Sequence, residues 1–143
     1  MANEEPKQVL IWRTDLRNNQ GHKVRTGKIC AQLAHASMKA ILDLGDFENT
    51  KTSFDFSITN IDQHEALCEW LEGRFTKVCV SVNSEIELLS IYNAAINADI
   101  KCRALIEDSG LTEFGGVKTL TCCAIGPAFP EELDKITGHL KLL

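Results

Sequence analysis

The chain has 143 residues and a net charge of −5 at pH 7, with hydrophobic residues making up 44% of the sequence and charged residues 24%. These values are ordinary for one folded domain over residues 1–143, large enough to form a core without a disulfide or a structural metal. No apolar run approaches the length of a membrane span and the acidic start is unlike a signal peptide, so we expect a cytoplasmic protein.

The first predicted elements are a strand and a long amphipathic helix. Gln8–Thr14 is a short apolar run, typical of a buried strand, and a polar loop follows it at 15–26. Residues 27–44 have the period of a helix that ends at Gly45. Its apolar residues recur at spacings of three and four: Ile29, Leu33, Ala36, Ala40 and Leu44.

The next stretch, 46–60, lacks a helical period and predicts a loop or excursion, with a short strand at Phe54–Ile58. Asp62–Leu71 predicts a helix capped by Asp62, and Thr76–Val82 alternates like a strand. The inward side chains predicted for this helix are Ala66, Leu67, Trp70 and Leu71.

A second capping pattern follows the Thr76–Val82 strand. Ser84 and Glu87 form a capping box for another helix. The apolar side predicted for that helix consists of Ile86, Leu89, Tyr92 and Ile96.

The last third of the chain predicts a strand at Lys101–Glu107, a polar glycine-containing loop at 108–118, a strand at Thr119–Ile125, and a helix at Glu131–Thr137. Helical crossovers favour parallel pairing of the first three strands, whereas the fourth follows the third without a helix and should be antiparallel. We therefore expect an α/β fold: a single three-layer domain with a small four-stranded mixed sheet and helices on both of its faces.

Charge is divided unevenly along the chain. Residues 1–39 hold seven basic and three acidic side chains, a net charge of +4, whereas the remainder holds eight basic and 17 acidic ones, a net charge of −9. A basic end on an acidic body indicates a local anionic partner. The alternative is a solvated basic face without a partner.

The six cysteines form no C-x-x-C pair, and most lie within apolar segments. Zinc ligands normally come in closely spaced pairs, so we expect reduced, structural cysteines and no metal site. They are Cys30, Cys68, Cys79, Cys102, Cys122 and Cys123.

Polar residues line the predicted 27–44 helix opposite its apolar side. Lys28, Gln32, His35 and Lys39 form one stripe, which starts at the positive end of the helix. Exposed backbone N–H groups at such an end favour a phosphate or a developing oxyanion. By itself the pattern favours the plainer interpretation, the solvated side of an amphipathic helix.

A second candidate cluster begins at Asp108, just past the carboxyl end of a predicted strand. Ligands bind at this end in open α/β sheets, so Asp108 and Lys28 should face one another across a crevice. A carboxylate in that place orients water as a general base. The other interpretation is a turn, which Asp, Ser, Gly and Thr all stabilise.

Three motifs, the last of them in two pieces, resemble those of type II peptidyl-tRNA hydrolases. Residues 23–36 (KVRTGKICAQLAHA) match the K-x-x-x-G-K-x-x-A-Q-x-x-H-A signature, and residues 106–112 resemble the I-x-D-A-G-x-T turn of that family. Residues 124–127 (AIGP) and 134–143 (DKITGHLKLL) resemble its G-I-G-P and D-x-V-T-G-H-L-K-L close. The segments cover both ends and the centre of the chain in the family's order.

The resemblance implies hydrolysis of the ester between a peptide and tRNA, without a cofactor, by a protein that is a possible homodimer. Four residues are candidates for catalysis: Lys28, Asp108, Thr112 and His35. Six are candidates for binding the substrate: Arg13, Lys23, Arg25, Gln32, Lys39 and Thr121. In this scheme Asp108 and Thr112 orient water, Lys28 stabilises the oxyanion, and the basic side chains with His35 hold phosphates.

The chain departs from the family near the candidate site. Leu111 stands where the family often has Arg, Glu113 where it often has Gln, and Ser109 where it often has Ala. The lost positive charge leaves a non-catalytic tRNA- or protein-binding module on the same fold as an alternative to the hydrolase. An aminoacyl-tRNA deacylase is a second alternative, because aminoacyl and peptidyl esters offer the same carbonyl.

Overall fold

The protein is described by a computed structural model over residues 4–59, 61–62 and 64–143. In these ranges a five-stranded mixed sheet and a separate two-stranded hairpin are joined by helices. The strands are β1 (Lys7–Arg13), β2 (Asp46–Asn49), β3 (Phe54–Ser57), β4 (Lys77–Val82), β5 (Arg103–Asp108), β6 (Thr119–Ala128) and β7 (Lys141–Leu142). The helices are α1 (Thr26–Leu42), α2 (His64–Glu72), α3 (Glu85–Asn97) and α4 (Pro130–Thr137).

The five strands are arranged in the order β5-β6-β1-β4-β7. Within this described sheet only β1 and β4 pair in parallel, since β6 lies antiparallel between β5 and β1, and β7 adds an antiparallel edge to β4. The α/β class, the mixed sheet, the parallel pairing of β1 with β4 and the antiparallel pairing of β6 with β5 are confirmed. The four-stranded sheet is wrong, and so is the expected parallel pairing of β5, which in the described sheet bonds to β6. The 10-residue β6 is buried over most of its length, which places it in the interior of the sheet.

Alternate residues of β1 pack into two separate hydrophobic cores, one on each face of the sheet. Val9 and Ile11 pack with α3 and α4 on one face, whereas Leu10 and Trp12 pack with α1 on the other. This alternation follows from the two-residue period of a strand that is covered on both sides. The predicted placement of helices on both faces is therefore confirmed.

The apolar side of α1 is close to the one that its spacing predicts. Leu33, Ala36 and Ala40 are buried against the sheet, and Ile29 packs at the margin of the same core. Leu44 lies beyond the end of the helix. The side of α1 that faces the sheet fixes where its polar residues project.

The excursion at 46–60 contains more structure than predicted. The predicted strand at 54–58 corresponds to β3, and β2 pairs with it as a hairpin in which Phe47 contacts both Phe54 and Phe56. The sequence DFEN of β2 lacks β-branched residues, so nothing local distinguished it from a loop. Residue 60 lies outside the described ranges.

The predicted capping of α3 is confirmed, since Ser84 Oγ accepts a hydrogen bond of 3.0 Å from the backbone N–H of Glu87. Its predicted apolar side is only partly correct, since Tyr92 packs against the core but the other predicted residues are not the main contacts. Ile86 and Ile96 are exposed, and the residues that face the core are Leu88, Ile91 and Ala95. Apolar residues lie on most sides of α3, so its period was a weak guide to the side that meets the sheet.

The prediction for α2 holds for its buried residues Ala66, Leu67 and Trp70, but Leu71 is exposed. The predicted start of this helix, with its cap at Asp62, includes residue 63, which lies outside the described residues.

All six cysteines have free thiols, of which Cys102, Cys122 and Cys123 are buried. Burial raises the pKa of Cys102 to about 11 and that of Cys122 to about 12. Across the described ranges there is no group of three His, Cys, Asp or Glu side chains placed to hold a metal ion. Among the described helices none is long and apolar enough to cross a bilayer.

Candidate active site

The first turn of α1 meets the end of β5 at a buried ion pair. Nζ of Lys28 lies 2.7 Å from Oδ1 of Asp108, and their side chains are only 14% and 8% exposed. Asp108 is the last residue of β5, so the sheet and the helix together fix the pair. The structure thus places the two residues face to face, as the strand-end argument expects.

Thr112 joins the pair from the loop that follows β5. Nζ of Lys28 also donates a 3.0 Å hydrogen bond to Thr112 Oγ1. The loop turns at Gly110, whose positive φ of 82° suits glycine, and a Cβ there would lie 2.3 Å from the carbonyl oxygen of Val117. The tight turn brings Thr112 back over the start of α1.

Two buried side chains hold the carboxylate of Asp108 in place, Gln32 directly and Thr121 through Gln32. Nε2 of Gln32 donates to Asp108 Oδ1 at 3.3 Å, and Thr121 Oγ1 donates to Gln32 Oε1 at 2.7 Å. Thr121 has no exposed surface, and Gln32 is buried instead of lying on the solvated stripe that the sequence predicted. Both were expected to bind substrate, but in this structure they orient the carboxylate.

Asp108 accepts three hydrogen bonds. Oδ1 receives those of Lys28 and Gln32, and Oδ2 receives one of 2.9 Å from the backbone N–H of Gly110. A carboxylate offers about four acceptor positions, so one position on Oδ2 is left for a further donor. A water molecule is a donor of suitable size.

The start of α1 is electropositive. Its first turn has no acidic residue, and Arg25 precedes it without a capping side chain. The first intrahelical backbone donor is the N–H of Ile29, which leaves the N–H groups of residues 26–28 directed out of the helix. These groups and Lys28 together favour an anion or a developing oxyanion beside Asp108.

The other predicted residues lie away from this cluster. Arg13 is engaged internally, with its guanidinium bound to both carboxylate oxygens of Asp15 at 3.0 and 2.8 Å. Lys39 pairs with Asp43 at the far end of α1. His35 and Lys23 are exposed to solvent.

The residue that the sequence argument misjudged is Glu113. Its side chain is only 5% exposed and forms an ion pair with Nε of Arg25, a side chain that is 67% exposed. The negative charge is therefore neutralised next to the site and does not face a substrate. No local pattern predicts this pair, because 88 residues separate its members.

A lysine and a carboxylate held beside helix N–H groups, at the end of a strand in a small α/β sheet, define the site of a hydrolytic enzyme. The model of one protein family, described as peptidyl-tRNA hydrolase PTH2, matches residues 6–143. The chain belongs to this family, as its three motifs predicted.

Curated relatives agree with this assignment. A peptidyl-tRNA hydrolase of Methanocaldococcus jannaschii is 39% identical over 137 residues, which cover 96% of this chain and 99% of the relative. One of Methanothermobacter thermautotrophicus is 42% identical over 138 residues, covering 96% and 99%.

A solved structure gives independent support for the fold. A protein of unknown function from Agrobacterium tumefaciens has a TM-score of 0.53 and 13% identity, with 98% of each chain covered. At this identity the likeness concerns the fold alone.

Proposed function

We propose that this chain hydrolyses the ester that joins a peptide to tRNA. The observation that carries the proposal is the cluster of Lys28, Asp108 and Thr112 at the start of α1. It combines a carboxylate with an open acceptor position, a cation, and outward backbone N–H groups. Membership of the PTH2 family supplies the substrate class.

In the proposed reaction a water molecule donates a hydrogen bond to Asp108 Oδ2, with Thr112 Oγ1 completing its orientation. The water oxygen attacks the ester carbon while Asp108 takes its proton. Lys28 and the N–H groups of residues 26–28 stabilise the tetrahedral oxyanion, where one donor is typically worth about a hundredfold in rate. The carbon–oxygen bond to tRNA then breaks, and the departing oxygen takes up the proton.

The tRNA backbone would be held by exposed basic residues around the start of α1. Lys23 lies in the preceding loop, and His35 is exposed further along the helix. Lys39 also remains in the proposed phosphate-binding set, since its ion pair with Asp43 is exposed and can be exchanged for one with a phosphate. Arg13 is less accessible, because Asp15 and the carbonyl of Leu120 occupy its guanidinium.

Three further expectations belong to this proposal. We place the protein in the cytoplasm, in keeping with its six free thiols. The reaction needs no cofactor, because the carboxylate and the cation act directly on water and ester. A homodimer is the assembly that the family resemblance implies.

Binding of uncharged tRNA should weaken steeply with salt despite the net charge of −5. Basic residues displace counterions from phosphates, so affinity should fall about tenfold or more between 50 and 200 mM salt. Titrations at several salt concentrations measure the slope, and Lys23→Ala should reduce it by about one unit. Lys101→Ala removes a cation from an exposed pair with Asp99 and serves as the matched control. A flat salt dependence would contradict binding through the basic end.

The function is tested by incubating the protein with N-acetyl-aminoacyl-tRNA and with free aminoacyl-tRNA side by side. Cleavage of the blocked substrate alone supports the peptidyl-tRNA hydrolase. Cleavage of the free form alone would identify a deacylase, and cleavage of neither, with tRNA still bound, would identify a binding module. Both esters offer the same carbonyl group, so only this comparison separates the enzymes.

A further inference from the structure

The loop that carries Thr112 is anchored at Phe114, which is buried in the core that it shares with α1, but the stretch before it is more exposed. Leu111, next to Thr112, is 85% exposed, and Val117 is also exposed. Within the loop, the N–H of Gly116 bonds to the carbonyl of Gly110 at 2.8 Å. The position of Thr112 relative to Lys28 therefore depends on what ties this loop to α1.

Glu113 connects the loop to the start of α1 and to the segment before it through two contacts. Its carboxylate pairs with Arg25 at the start of α1. Its backbone carbonyl accepts a 2.8 Å hydrogen bond from the N–H of Asn19, in the loop that leads into α1. Both contacts lie one residue from Thr112, whose hydroxyl is bound by Lys28.

The two members of the pair differ in their surroundings. Arg25 is mostly exposed, so without Glu113 its charge would remain hydrated. Glu113 is almost fully buried, so without Arg25 its charge would lack a partner in a poorly solvated place. A local outward shift of Glu113 would relieve that cost by exposing its carboxylate to water, and such a shift would carry the adjacent Thr112 away from Lys28.

We propose that Arg25, by neutralising the buried carboxylate of Glu113, keeps the Thr112 loop positioned against the start of α1 for hydrolysis. This inference rests on the proposed function and gives Arg25 a role different from the substrate binding that the sequence suggested. Arg25 acts through Glu113 and Thr112 and does not touch the substrate. The pair occupies Nε of Arg25.

The asymmetry of burial gives a sharp test with three variants. Arg25→Ala should lower kcat for N-acetyl-aminoacyl-tRNA by about tenfold to a hundredfold, the range expected for a small displacement of a reacting group. Adding Glu113→Gln to Arg25→Ala removes the buried charge and should restore kcat to within about threefold of the unaltered protein. Glu113→Gln alone retains an acceptor for Arg25 and should stay within the same limit.

A role of Arg25 in holding substrate predicts a different pattern. KM would then rise equally in Arg25→Ala and in the double variant, with no recovery of kcat. That result would overturn the proposal, as would a kcat for Glu113→Gln alone as low as that of Arg25→Ala. Assays are run well below the melting temperature of each variant, so a loss of kcat there is not a loss of folded protein.

Hydrogen exchange of the Asn19 amide provides a readout that does not need activity. Its exchange should quicken in Arg25→Ala and slow again in the double variant, because its acceptor is the carbonyl of Glu113. Equal exchange rates in all variants would overturn the positioning role. If the unaltered protein hydrolyses neither ester, the proposed function fails, while the exchange rates still decide whether Arg25 keeps the loop in place.

Discussion

Lys28→Ala should lower hydrolysis of N-acetyl-aminoacyl-tRNA by about a hundredfold or more, which is the typical cost of removing an oxyanion donor. Lys28 contacts both Asp108 and Thr112, so its loss removes the charge next to the ester and the link between the strand and the loop. Asp108 loses its charged partner but keeps its hydrogen bonds from Gln32 and Gly110, so the melting temperature should fall by several degrees while the protein stays folded at the assay temperature. Single-turnover kinetics and thermal unfolding measure the two effects separately.

Two companion variants make the Lys28 result specific. Lys28→Arg keeps the charge, but the longer, planar guanidinium does not take the place of a compact ammonium between Asp108 and Thr112, so most activity should be lost here too. Lys101→Ala removes an exposed cation from the far end of β5 and should leave the rate unchanged. Near-normal turnover in Lys28→Ala would assign this lysine to the solvated side of α1.

Asp108→Asn should reduce activity by about a hundredfold or more, because the amide cannot take the proton of the attacking water. Affinity for uncharged tRNA should stay the same or rise slightly, since a negative charge near phosphate is removed. The amide oxygen can still accept the N–H of Gly110, so the turn itself should survive. Rapid-mixing kinetics and tRNA titration on the same preparation separate rate from binding.

The contacts of Asp108 allow a second, sharper test of its role. In Asp108→Asn the new amide nitrogen would face donors on Lys28 and Gln32, so Lys28 loses its partner as well. If the two residues act as one unit, the double variant Lys28→Ala/Asp108→Asn should be about as slow as the slower single variant. If the rate loss in the double variant equals the product of the two single losses, the residues act independently. Near-normal kinetics in Asp108→Asn would show that Asp108 serves only to form the turn.

The sequence by itself determined the class of the fold, the course of α1 and the approach of Lys28 to Asp108. The period of α1 identified Leu33, Ala36 and Ala40 as its buried side, because those residues repeat with the helix's own turn. Lys28 and Asp108 were found because they lie in short motifs whose order along the chain is fixed. Such signals are local, or depend on an ordered set of local matches, so no contact between distant segments is needed to detect them.

Tertiary structure alone decided which distant segments meet. The insertion of β6 between β5 and β1 depends on backbone hydrogen bonds between segments far apart in sequence, and no local period records such partners. The burial of Gln32 has the same origin, since its acceptor and donor belong to β5 and β6.

Glu113 is the clearest example of a residue whose surroundings only the tertiary structure decides. In the sequence it is one more acidic residue in a polar loop, and its charge is expected to oppose an anionic substrate. Only the fold brings Arg25 to it and buries its carboxylate, so the same charge is neutralised and kept away from water. The physical reason is that the effect of a charge depends on its partner and on its access to water, and packing of distant segments sets both.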